Sequence, residues 1–80
     1  MDTRVAVIAI IIENIEAVET VNQLLCENRE YIIGRMGIPY KNKGISIISI
    51  AIDAPQDVIS TLSGKIGRLK GVSTKTAYSN

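Results

Sequence analysis

The sequence predicts an α+β sandwich: an antiparallel four-stranded sheet with two helices on one face. Three observations predict it. The runs Val5–Ile12 and Ile45–Ile52 are rich in β-branched residues and apolar at both parities, as central strands are. A segment with a 3.6-residue apolar stripe follows each run, and a more mixed strand follows each stripe. The apolar palette is isoleucine and valine, with no Phe or Trp and three Tyr, which suits a pleated surface.

The elements follow in order. In the first strand Val5, Val7, Ala9 and Ile11 point one way and Ala6, Ile8, Ile10 and Ile12 the other. Glu13 and Asn14 break the run, and Asn14 is a suitable N-cap with Glu16 where a helix dipole favours an anion. The first helix runs to about Asn28, with Ala17, Val18, Val21, Leu24 and Leu25 as its buried stripe. Glu30 to Ile38 reads as an edge strand, because Pro39 cannot donate to a ladder and Gly34 and Gly37 mark irregular backbone. Pro39 to Gly44 then reads as a polar loop. After the third strand, Asp53 is expected to cap the second helix, with Gln56 in the manner of a capping box. Its stripe is Pro55, Ile59, Leu62 and Ile66, flanked by Val58 and Leu69, and Gly71 is expected to end it in a left-handed cap. Val72 to Tyr78 is a polar, threonine-rich edge strand protected by Lys75. Strand, helix, strand, strand, helix, strand is the ferredoxin-like βαββαβ order, with the first and third strands central.

Eighty residues make a single domain over 1–80. The net charge of +1 provides no basic field for nucleic acid or an anionic membrane. The lone Cys26 excludes an intrachain disulfide. Val5–Ile12 is too short to span a membrane, and Asp2 is wrong for a signal peptide, so a cytoplasmic protein is expected.

Two helices cover one sheet face, yet both parities of the central strands are apolar. A contiguous apolar patch on the second face calls for a covering partner, and symmetric self-association is the commonest kind. A homodimer or homotetramer is therefore expected. Its interface residues are expected among Ile33, Gly34, Arg35, Met36 and Ile48, by edge pairing or by the open face.

The stretch Tyr31–Gly44, YIIGRMGIPYKNKG, carries the densest unusual chemistry. Arg35 can hold a carboxylate or phosphate bidentately, and Gly37 beside it lets a ligand approach the backbone. Tyr40 and Lys41 extend the candidate ligand set, with Asn14 nearby. The bland alternative is a solvated basic loop with Arg35 paired to a neighbouring subunit. Ser60, Ser63, Gly64 and Gly67 form a small-residue strip on the second helix, which suits either close approach of another backbone or a plain solvent face.

GRMGIPY, the GISIIS of residues 44–49 and the TLSGKIGRLKGV of residues 61–72 resemble a family of small stand-alone regulators of the iron-only hydrogenase system. The resemblance covers essentially the whole chain. It implies an ACT-like fold, also similar to the C-terminal domain of nickel-responsive repressors, and a regulatory role in the maturation or expression of iron-only hydrogenase. It brings no catalytic or ligand residues with it. ACT domains that bind amino acids carry a glycine after the first strand, where this chain has Ile12-Glu13-Asn14-Ile15.

Other chemistries find no support. With no histidine and one cysteine, no intrachain metal site or other cofactor is expected. Gly64-Lys65 lacks the upstream glycine and the following Ser/Thr of a phosphate loop. The central strands lack the aromatics on which RNA-recognition motifs stack bases. Neither an activating histidine nor a carboxylate pair in an apolar setting supports an enzyme. The expected function is a homo-oligomeric effector-sensing module, its effector small and anionic or amino-acid-like. The alternative is a protein–protein interaction subunit with no small ligand.

Overall fold

The computed structural model describes residues 2–79. The strands are β1 (Arg4–Ile12), β2 (Ile32–Tyr40), β3 (Ile45–Ala54) and β4 (Val72–Tyr78), and the helices α1 (Val18–Glu27) and α2 (Gln56–Gly67). The sheet is antiparallel in the order β2-β3-β1-β4, with the apolar runs in the middle. This is the ferredoxin-like architecture.

The register decides which parity meets the helices. Ala6, Ile8, Ile10 and Ile12 pair with Ile52, Ile50, Ile48 and Ser46 and are buried. Val21 and Leu25 of α1 and Ile59, Leu62 and Ile66 of α2 close over them. Each fully buried Ile or Leu contributes about 1.5–3 kcal/mol of transfer free energy. The opposite parity, including Val5, Val7, Met36, Ile38 and Tyr40, lies on the open face with 42–51% exposure.

Four expectations need correction. Ile48 is 5% exposed and belongs to the core beneath the helices, so it is no interface residue. The second strand begins at Ile32 and runs through Pro39, which pairs with Ser46, while residues 29–31 form a 3₁₀ turn. An edge strand accommodates a proline because one of its sides needs no donor. Asp53 caps nothing: it is exposed and pairs with Val5 within β3, which continues to the buried Ala54, and Pro55 stands at the N-cap. Gly71 does adopt a left-handed φ of 77°, but in the turn after α2, whose last residue is Gly67.

The small-residue strip also finds its explanation. Ser63 Oγ lies 3.4 Å from Thr74 Oγ1 and 3.3 Å from Thr76 Oγ1. A Cβ at Gly67 would stand 3.1 Å from Thr74 Oγ1. At Ser63 and Gly67 the neighbour that approaches α2 is the chain's own β4, through the threonine hydroxyls.

Candidate functional site

The elements that build the site are α1 with the turn before it, and the β2–β3 hairpin. Asn14 Oδ1 accepts from the Glu16 N–H at 3.2 Å and starts a 3₁₀ turn over Ile15–Ala17 that leads into α1. Lys41–Lys43 form a second 3₁₀ turn, closed by Gly44 in the left-handed region at φ 65°. These two turns face each other across a cavity of about 160 Å³. Its walls are Ile12, Ile15, Val18, Pro39 and Ile45, and Tyr40, Lys41 and Ser46 give it polar atoms.

A second depression of about 210 Å³ lies along the same crease and shares Val18, Pro39 and Ser46 with the first. Arg35, Gly37 and Asn22 line it. The two form one trough between α1 and the helix-side face of β2. Strand alternation explains this: Arg35, Gly37 and Pro39 pair with Ile50, Ile48 and Ser46 and share the inward parity. Arg35 Nη2 donates to Asn22 Oδ1 at 3.0 Å, which fixes the guanidinium near α1 and leaves other N–H groups for a ligand. Asn22 is neutral, so the positive charge stays uncompensated by that bond.

Four of the five expected ligand residues thus fall in one crease: Arg35 and Gly37 at one end, Tyr40 and Lys41 at the other. Asn14 stands apart. It lines neither depression, and its amide contacts the Lys70 carbonyl at 3.4 Å. Sequence reasoning missed Ile15, Val18, Ser46 and Asn22 as trough residues. Ile15 had a signal, an isoleucine outside the helix stripe, and it is 79% exposed at the trough wall.

Of the expected interface residues, Gly34 and Met36 pair with Ala51 and Ser49 at the outward parity. The register shifts between Ile32 and Gly34, so Ile33 is the extra residue of a bulge and is 64% exposed. Cys26 is exposed and accepts from Arg29 Nη1 at 3.2 Å. Among the described residues, no cluster of three or more His, Cys, Asp or Glu could hold a metal, and no helix is long and apolar enough to cross a membrane.

The TM1266-like family, candidate regulators of the iron-only hydrogenase system, matches residues 4–76. The chain belongs to this family. The solved structure of the uncharacterized protein TM1266 from Thermotoga maritima superposes with a TM-score of 0.94 at 31% identity, covering 99% of this chain and 100% of that one. A formyltetrahydrofolate deformylase from Pseudomonas putida KT2440 shares the fold over 91% of this chain and 28% of its own, at TM-score 0.67 and 14% identity. A nitrogen regulatory PII-like protein from Thiomonas intermedia K12 lies further off, at TM-score 0.46 and 15% identity with both chains fully covered. No curated protein matches.

Proposed function

We propose that this chain is a homo-oligomeric regulatory module of ACT-like fold that senses a small effector within the iron-only hydrogenase system. The double exposure of β2 supports the reading. One side of the strand carries Arg35, Gly37 and Pro39 into the trough, and the other carries Met36 onto the open apolar face, with Ile38 and Tyr40 on that face and at the trough's rim. A ligand in the trough and a second subunit on the face would therefore touch the same strand. β2 pairs with β3 alone, and its residues 33–40 are all exposed. Little besides that one ladder resists a displacement of the strand, so occupancy of the trough can bias the interface.

Sedimentation at micromolar concentration, with melting scans against a panel of carboxylates, phosphates and amino acids, tests this. The expected result is a dimer or tetramer of the 8.7 kDa chain and a ligand-dependent rise in melting temperature. Arg35→Ala is expected to fold, yet to weaken the ligand shift or the assembly, since its one side-chain bond is to Asn22 at the surface. A folded monomer with no ligand response would sink the reading. An oligomer that responds to no ligand would leave the pure interaction subunit, which the open apolar face suffices to support.

A further inference from the structure

Resting on the effector-sensing reading, we infer that the trough takes a small monocarboxylate with a branched or aromatic hydrocarbon body, and that it selects against the corresponding amino acid. Size, charge and one glycine carry the inference.

The cavity of about 160 Å³ is walled by Ile12, Val18, Pro39 and Ile45. It is open to solvent on the Ile15 side, and its volume is on the order of the ~150 Å³ that accommodates benzene, so a body of about six carbons can lie in it. The charged residues lining the trough are Arg35 and Lys41, both cations, and no lining residue is acidic. An anionic head is thus complemented, and Arg35 can grip a carboxylate with two parallel N–H groups. An α-ammonium group would find two like charges and no counter-ion, and its desolvation would go uncompensated.

Gly37 is the third observation. Its φ is not positive, and a Cβ built there meets nothing within 4 Å. Neither backbone strain nor packing requires a glycine, and a strand position of this kind ordinarily favours a β-branched residue. The missing side chain keeps the floor of the trough clear between Arg35 and the apolar cavity, where the ligand's carbons would lie.

Three molecules sharing one carbon skeleton separate the terms: 4-methylpentanoate, L-leucine and 4-methylpentan-1-ol, titrated by calorimetry into the full chain. The carboxylate is expected to bind. Leucine and the alcohol are expected to bind about tenfold more weakly or worse, because each loses or opposes a charge-assisted contact. Gly37→Val is expected to fold with at least wild-type melting temperature and to lose carboxylate binding. Arg35→Gln is expected to weaken it about tenfold. Leucine binding as tightly as the carboxylate overturns the inference and leaves effector sensing standing. Full binding by a folded Gly37→Val variant overturns the location. If neither these molecules nor the wider metabolite panel binds, both readings fall.

Discussion

The two edge strands of the sheet are built to opposite rules. β4 is fastened down. Its inward residues meet α2 through Ser63 and Gly67, and Gln56 Nε2 donates to Tyr78 Oη at 2.8 Å. Arg4 stacks over the Tyr78 ring at 4.3 Å and donates to Gln56 Oε1 at 2.7 Å. β2 lacks such cover. It carries a bulge, Cβ atoms at Gly34 and Gly37 would touch nothing within 4 Å, and beyond Ile32 at its start Arg35 donates to Asn22 of α1. Glycine sits in opposite surroundings at the two edges: a Cβ at Gly67 would press on Thr74 Oγ1 at 3.1 Å, and one at Gly37 would stand in open space. An edge that is fastened supports the fold, and an edge that is left open is available to a ligand or a partner.

The sharpest test sets the core beneath β2 against its outer surface. Ile48→Glu places a carboxylate under the helices and is expected to cost about 4 kcal/mol or more, enough to unfold so small a domain. Met36→Glu, on the neighbouring strand but at the open parity, is expected to leave a folded monomer within about 0.5 kcal/mol and to dissociate the proposed oligomer. Circular dichroism with sedimentation reads both. If Ile48→Glu stays folded and merely dissociates, the assignment of the two faces is reversed.

Gly71→Val comes next in size. Its Cβ would meet Asn14 Cβ at 2.5 Å at a φ of 77°, and the expected cost is about 3 kcal/mol. Gly64→Val, where the nearest atom is a flexible Arg68 nitrogen at 3.6 Å, is expected to stay within about 0.5 kcal/mol of wild type. Equal midpoints in urea melts would contradict the close packing of the Gly71 turn on Asn14.

The smallest effects separate the two edges directly. Gly67→Val is expected to cost about 1–2 kcal/mol by pushing α2 off β4. Gly37→Val is expected to add about 0.5 kcal/mol of stability. Denaturant midpoints of the same sign and size would erase the distinction between a fastened and an open edge.

The same contrast explains what was legible in the sequence. β4 reads correctly to the residue because alternation and the Gly71 turn both define it. The central strands and both helix stripes are also legible, since burial imposes their periods. β2 is displaced by two residues: the strand reads as an edge, but Pro39 still reads as its end, whereas an edge strand can run on through a proline. Asp53 reads as a cap because Gln56 stands three residues on and Pro55 suits a first turn; the burial of Ala54 and pairing with β1 extended the strand instead. Ile48 could not be assigned to a face because both parities of its strand are apolar. Arg35, Gly37, Tyr40 and Lys41 stand out by residue type. The trough's apolar wall stays hidden, since Ile12, Val18 and Ile45 look like any core residues until α1 is placed.

The central position of β1 has a consequence for synthesis. β1 pairs on one flank with β3 and on the other with β4, so Ala6 waits for Tyr78, seventy-two positions later. At ribosomal speeds of about 5–20 residues per second, that wait is roughly 4 to 14 s. Until Ala54 is made VAVIAIII has neither neighbour in place, and from then until Tyr78 it still lacks β4. The cover of this apolar segment is therefore completed last, and a chaperone acting on this protein would find its binding site in β1.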